Sequence, residues 1–284
     1  MADTPDSRNP KPGGEAAHPS PAPLRPCAPA PLLNKTLDFA DMDDPAVHAT
    51  VRSLRLWLWR WLVTGGRFAV NGHVKRRAYV RRHKMWEYSR GLALTGASAP
   101  VREPDSAPLA VLDIGGAMTS TIFYLAGLGD RVLSLDIDRG MCEQTNSIAR
   151  RRGLSVEART TNLAQEDPDP ASLGVTDGFD RVYCFCVIEH VLPPGQLKLA
   201  RALGTLVRPG GQLCLTFDYG EDAPTEAPIR RPEDVEALRE AIDLPLAGNP
   251  SFVDTGTRFA LHKHHPQLQY TFGSLFFHRP AAQP

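Results

Sequence analysis

Between positions 44 and 66, apolar residues recur at three- and four-residue intervals: Val47, Val51, Leu54, Leu58, Trp61 and Leu62, with Trp57 on the same face. That spacing predicts a helix, opened by Asp44 as N-cap with Pro45 in its first turn and closed at Gly65-Gly66. A second helix is predicted over about 74–94, where Lys75, Arg76, Arg77, Arg81, Arg82, Lys84 and Arg90 are interleaved with Tyr79, Trp86 and Tyr88. Such a run reads as a solvated basic face, or as a positive lip that attracts an anionic substrate. From residue 108 the pattern changes to short apolar runs separated by helical periodicity, with strands predicted at 110–114, 131–136, 155–160, 180–185 and 212–217. The alternation implies an α/β chain, a parallel sheet covered by helices on both faces. The final run, RFALHKHHPQLQYTFGSLFFHRP, reads as two strands joined by a polar turn, an antiparallel hairpin at the sheet edge.

Composition adds a boundary at the start. As far as about residue 34 the chain is loaded with Pro, Ala, Ser and Gly, which cannot offset the entropy of ordering. Residues 1–43 are therefore read as a disordered tail, 44–107 as N-terminal helices forming a cap or lid, and 108–284 as the sheet domain. With 284 residues and 42% hydrophobic content the chain buries a full core, and its formal net charge of zero gives no global affinity for nucleic acid or membrane. The five cysteines (Cys27, Cys142, Cys184, Cys186, Cys214) are odd in number, and three fall in apolar runs, which implies reduced thiols and a cytoplasmic protein. No apolar run approaches the roughly 18 residues that span a bilayer, and the Pro-rich start lacks a signal-peptide core. The Trp stripe near residue 60 reads as core packing, because Arg52, Arg55 and Arg60 flank a short apolar face.

The candidate chemistry begins in LAVLDIGGAMTSTIFYLAGLGDRVLSLDID, residues 109–138. In an open parallel sheet, ligands sit outside the carboxyl ends of the strands. Gly115 and Gly116 let a ligand approach the backbone, and Asp136, roughly 20 residues on, can accept hydrogen bonds from ribose hydroxyls. Asp138 reads as the cap of the next helix. Dinucleotide-binding domains share this layout; the distinguishing residue is Asp113, inside the first strand. VLDIGG resembles the first motif of the class I S-adenosylmethionine-dependent methyltransferases. VLSLDID, TTNLAQ, FDRVYCFCVIEHV and LVRPGGQLCLTF resemble that family's later segments in order, over about residues 86–279.

The resemblance implies a Rossmann-like, doubly wound, seven-stranded, mostly parallel sheet with an antiparallel C-terminal strand, here preceded by a helical extension. It implies S-adenosyl-L-methionine as cofactor. Asp113 and Gly115 would face its methionine end, with Gly116 and Ala117 in the turn. Asp136 would take the ribose, Ile137 the adenine face, and Asn162 with Leu163 the adenine edge, while Cys184 or the backbone around it would lie beneath the sulfonium. Two departures from the family pattern stand out: Ala117 replaces the second glycine of the turn, and Asn162 replaces the usual aspartate.

The implied reaction is methyl transfer to an oxygen or nitrogen of a small-molecule metabolite, in specialised or glycan-related biosynthesis. Alignment in such a displacement is worth roughly 7 to 11 kcal/mol. A general base adds about 100-fold or more when the nucleophile is a hydroxyl. Candidates for that role are His190, His262 and Tyr219, with Tyr88 a further pocket residue and Glu189 read as structural. The His262, His264, His265 group lacks a supporting Cys or carboxylate pair, so no metal is expected. Residues 220–232 and the N-terminal helices read as a lid. The expected partner is a small molecule, with neither nucleic acid nor a membrane span; oligomeric state is not encoded legibly. Rival readings are methylation of RNA or protein with the basic helix as docking face, a nicotinamide-dependent oxidoreductase, and a non-catalytic cofactor-binding partner of another enzyme.

Overall fold

In chain order the elements are β1 (Lys35–Thr36), α1 (Pro45–Val63), β2 (Phe68–Val70), β3 (His73–Lys75), α2 (Arg82–Leu94), β4 (Ala110–Ile114), α3 (Ser120–Gly127), β5 (Arg131–Asp136), α4 (Arg139–Arg152), β6 (Val156–Thr160), β7 (Phe179–Phe185), α5 (Gly195–Leu206), β8 (Val207–Tyr219), α6 (Pro232–Ile242) and β9 (Thr271–His278). They come from a computed structural model that describes residues 32–281 apart from 71, 76, 104, 105, 168 and 263. Seven strands form one sheet in the order β1-β9-β8-β7-β4-β5-β6. From β6 to β8 neighbouring strands are parallel, and β9 runs antiparallel to β8. The sheet is thus the doubly wound α/β arrangement with a reversed C-terminal strand, and its seventh strand is the N-terminal β1, with Lys35 opposite Ser274.

Successive residues of the central strands feed opposite layers. Val111 and Tyr183 pack with Trp86 and Phe123 under α1–α4, while Leu112 and Val182 pack with Leu203 and Leu238 under α5 and α6. Burial on both faces is why these strands read as unbroken apolar runs. Helix α1 starts as its sequence predicts: the Asp44 carboxylate accepts from the Ala46 and Val47 amides. Its Trp61 stacks on Phe123 at 5.1 Å between centroids, so the aromatic stripe is core. Among the described residues no helix is long and apolar enough to cross a membrane.

Three expectations are corrected. The disordered tail does not extend to residue 43. Asn34 is fully buried, its amide donating to the Ala247 and Asn249 carbonyls and its Oδ1 accepting from Phe276 N at 2.8 Å. Asp41 receives the Lys35 ammonium at 2.7 Å, the Trp86 indole N–H at 3.0 Å and the Arg90 Nε at 3.3 Å. Polar pairing rather than apolar content orders this segment, and that pairing is invisible to a compositional argument; residues 1–31 lie outside the described set. The second correction concerns the helix placed at 74–94, which begins at Arg82 because β2 and β3 pair across a turn in which Gly72 takes φ +69°. Nor is α2 a solvated basic face: residues 84–93 are buried, with Arg90 against Ser274 and Leu32 and Lys84 against Glu87. Third, the C-terminal hairpin has only one strand. β9 pairs with β8, and the stretch before it keeps a single bridge, Phe259 to Tyr270.

Candidate active site

The turn after β4 is held by its own neighbours. Gly115 has φ +67°, donates its N–H to Leu135 O at 2.7 Å, and would carry any Cβ to 2.5 Å from Val187 Cγ2. A Cβ on Gly116 would coincide with the Asp113 carboxylate. Both positions therefore require glycine. Asp136, at the end of β5, accepts from Ala117 N at 3.2 Å and from Asp138 N at 2.9 Å, which fixes its carboxylate against the turn. Burial raises the Asp136 pKa, and the amide donors oppose that rise. Asp113 is buried, its Oδ1 has no hydrogen-bond partner among the described residues, and burial followed by repulsion from Asp136 and Glu87 pushes its pKa well up. Ala117 packs with Cys142 and Ala158, so the extra methyl is absorbed by the core. Met118, at φ +66°, donates to Thr145 Oγ1 and accepts from Ala69 N, which ties the hairpin to the turn.

Two cavities meet here. One, of about 540 Å³, lies between Leu135, Asn162, Leu163 and Leu199. The other, of about 1420 Å³, is bounded by Cys186, Glu189, Asp218, Tyr270 and Phe272, with Arg77 and Arg81 on its basic wall. Gly115, Asp136, Ile137, Val187 and His190 line both. Of the residues singled out from sequence, Gly115, Asp136, Ile137, Asn162 and Leu163 thus gather at the smaller chamber, and His190 and His262 at the larger. Ile137 is 74% exposed, an apolar side chain presented at the shared edge. The Asn162 Oδ1 already accepts from Ala164 N at 3.1 Å, so it braces its turn as well as facing the cavity. His190 bonds Glu226 through Nδ1 at 2.6 Å. The His262 Nδ1 has no hydrogen-bond partner among the described residues, and its ring lies 4.8 Å from that of His265.

Others fall elsewhere. The Cys184 side chain is fully buried in the layer under α5, and Cys186, two residues on with φ +52°, lines the larger cavity instead. Tyr219 is also fully buried, edge-on to Phe252 at 5.2 Å, and lines neither chamber. Strand parity explains the latter: its neighbour Asp218 points to the opposite face and into the larger cavity. Tyr88 packs against Phe185 rather than lining the chamber.

The floor of the larger chamber is a charged cluster that sequence reasoning missed. Lys84 Nζ lies 2.8 Å from Glu87 Oε2, and Glu87 Oε1 accepts from Thr216 Oγ1 at 2.8 Å. Glu189 Oε1 accepts from Asp218 N at 3.0 Å, and its Oε2 has no hydrogen-bond partner among the described residues. Burial, reinforced by repulsion from Asp218, pushes the Glu189 pKa up to about 8; burial pushes Asp218 up to about 6 against the pull of Lys84. Cys186 Sγ and oxygens of Glu189 and Asp218 lie within 4.8 Å of one another. Three potential ligand atoms so close invite a metal reading, but the Lys84 ammonium acts on all three groups and supplies the positive charge from the chain itself. Across the cavity His83 is pushed down to about 4 by burial and by Lys84 and Arg81, so it is neutral at physiological pH.

Residues 112–213 match the family model of a methyltransferase domain. This central stretch of the chain is similar to a methyltransferase domain. The matched stretch holds Asp113, the glycine turn, Asp136, Asn162 and Glu189; Lys84, Glu87 and Asp218 lie outside it. Over 103 residues the chain is 34% identical to a ubiquinone biosynthesis O-methyltransferase of Methylocella silvestris, a match spanning 36% of this chain and 37% of that protein. Among solved structures, a Burkholderia thailandensis 1,6-didemethyltoxoflavin-N1-methyltransferase, with 1,6-didemethyltoxoflavin and S-adenosylhomocysteine bound, is 18% identical with a TM-score of 0.48, covering 81% of this chain and 90% of that one. The [4+2]-cyclase SpnF is 15% identical with a TM-score of 0.49, covering 89% and 99%. Likenesses this distant say nothing about which reaction this chain performs.

Proposed function

We propose that the protein transfers a methyl group from S-adenosyl-L-methionine to an oxygen or nitrogen of a small molecule that carries an anionic group. The observation that carries the reading is the turn itself: Gly115 and Asp136 border both chambers, so a nucleotide held at the turn would have its reactive end at the mouth of the larger one. The residues fit the cofactor. Gly115 offers bare backbone and Asp136 has a lone pair left on each oxygen for ribose hydroxyls, while Asp113, buried against Gly116 and lining neither chamber, shapes the turn from behind. When bound, the cofactor supplies an electrophilic methyl group on a sulfonium.

The chain's own residues do the rest. Ile137 and Leu163 cover an adenine ring, and Asp136 fixes the ribose. Lys75, Arg77 and Arg81 on the far wall attract an anionic substrate, which orients its opposite end toward Glu189 and Asp218. The segment 220–232 joins the mouth through Glu226 on His190 and through Ala227 N on Glu189 O, at 2.6 and 2.9 Å, so it serves as the lid with the N-terminal helices. A chamber with basic wall and acidic floor suits a small polar molecule better than a nucleic-acid backbone. Calorimetric titration with S-adenosylhomocysteine, and with NADH in parallel, tests the reading. Saturable micromolar binding of the first alone supports it; binding of NADH, or of neither, refutes it.

A further inference from the structure

We infer that Glu189 and Asp218 hold a single proton between them at the floor of the larger cavity and accept the proton that the substrate's nucleophile loses. The inference rests on the methyltransferase reading above and assigns its base. The two carboxylates come from adjacent parallel strands: Glu189 follows β7 and Asp218 is near the end of β8, in a register that sets Phe185 against Thr216. Glu189 Oε1 is tied to the Asp218 amide, which leaves its fully buried Oε2 without a hydrogen-bond partner among the described residues. Asp218 is half-buried and meets the cavity directly.

Every charged group facing the pair must be counted. From α2 come Lys84 and Glu87, already joined at 2.8 Å, so one ammonium stands against three carboxylates. Cys186 lies beside the pair, His190 stands at the mouth, and Tyr270 faces Asp218 from the segment before β9. Lys84 attracts both members of the pair as well as Glu87, but one ammonium does not offset three carboxylates, so two ionised groups this close still repel. The stable state keeps one proton on the pair. This leaves one carboxylate ionised near neutral pH, with its pKa raised toward the value an effective base needs.

The step balances. The substrate's O–H or N–H bond breaks and its proton passes to the ionised carboxylate, presented by Asp218. The freed lone pair forms the bond to the methyl carbon, and the electron pair of the broken C–S bond stays on sulfur. The carboxylate becomes a carboxylic acid as the sulfonium charge is cancelled.

The test uses the full chain and the variants Glu189→Gln and Asp218→Asn. S-adenosylhomocysteine titration comes first: failure of the wild type to bind sinks the methyltransferase reading, whereas the variants should bind within about threefold of it. Infrared difference spectra between about pH 5 and 9 then read the shared proton. A protonated carboxyl band should persist above pH 6 and fade toward 8. Asp218→Asn should move the Glu189 titration downward, because its repelling neighbour is gone, whereas Glu189→Gln removes a group already neutral near pH 6 and should remove the band that persists toward 8. Absence of that band above pH 6 in the wild type, or an Asp218→Asn protein in which it titrates unchanged, overturns the inference. Turnover of 4-hydroxybenzoate, a phenol with an anionic end, should fall about 100-fold or more in Asp218→Asn and lose its acid limb. Undiminished turnover in that variant overturns the base assignment. If the wild type does not methylate this probe, the infrared result decides.

Discussion

Replacing Asp136 with Ala should abolish cofactor binding in the micromolar range while leaving a folded protein. The Asp136 oxygens each accept one backbone N–H, from Ala117 and Asp138, and an ionised carboxylate has about four acceptor sites, so two remain for two ribose hydroxyls. Each charge-assisted bond is worth about 1.5 to 3 kcal/mol. Losing both costs about 3 to 6 kcal/mol, or roughly two to four orders of magnitude in Kd. The substitution also frees two turn amides, so a melting temperature should be measured beside the S-adenosylhomocysteine titration, to separate a loosened turn from a lost ligand contact. Asp136→Asn keeps one acceptor oxygen and should fall between wild type and Ala. Burial raises the Asp136 pKa, and the ligand needs the ionised form, so wild-type affinity should weaken as pH falls through that raised value. A folded Asp136→Ala protein that binds within about tenfold of wild type would falsify the site.

Other outcomes follow from the same packing. Asp41→Ala takes the carboxylate from the buried Arg90, which keeps only the neutral Ser274 and Leu32 oxygens, leaves Lys35 with Asp38 at 3.5 Å and unpairs the Trp86 N–H, and should lower stability by about 3 to 5 kcal/mol in urea unfolding. A loss under about 1 kcal/mol would mean the N-terminal segment is not held as described. Gly116→Ala drives its methyl into the Asp113 carboxylate, so a thermal shift assay should register a loss of about 1 to 3 kcal/mol together with loss of the S-adenosylhomocysteine shift; wild-type behaviour would contradict the turn geometry. Glu189 and Asp218 have folded pKa values raised to about 8 and about 6, so the folded state binds more protons than the unfolded chain above their ordinary range. Their contribution is greatest at low pH and is lost as pH rises through 6 and then 8. Urea midpoints taken across that window should decline, and Glu189→Gln should flatten the slope; a wild-type rise attributable to these groups would reverse the argument.

What was legible in the chain was local. The glycine turn and Asp136 are close in sequence and rest on adjacent strands, so spacing alone identified them, as it did the Asp44 and Asp138 caps. The Glu87, Glu189 and Asp218 floor was not legible, because its carboxylates lie on separate elements and meet only when α2 packs on β7 and β8. Near the ends of β7 and β8 the residues named from sequence are one face or one turn away from the cavity: Asp218 rather than Tyr219 faces it because one residue reverses the face, and Cys186 rather than the Cys184 side chain lines it because a left-handed residue after β7 breaks the alternation. The Asn-Gly pair at 71–72 carried a hairpin signal that the basic run around it obscured. Lys84 and Arg90 looked like surface charges because a sequence shows no partners. Their burial depends on Glu87 beside one and Asp41 beside the other.

The pairing of β1 with β9 also sets a timetable for synthesis. Ser274 Oγ donates to Lys35 O at 3.1 Å across 239 positions and receives Arg90 of α2, so the first described strand finds its partner only when the last one leaves the ribosome. By then the strands and helices around the glycine turn have had time to collapse as a unit, whereas α2 with Lys84 and Glu87 has no roof. Contacts this distant form late and leave apolar surface waiting. The nascent chain therefore holds its glycine turn and the charged floor of the larger chamber before β9 is made, and a molecule released before residue 271 would lack β9, its pairing with β1 and β8, and the Phe272 wall of that chamber.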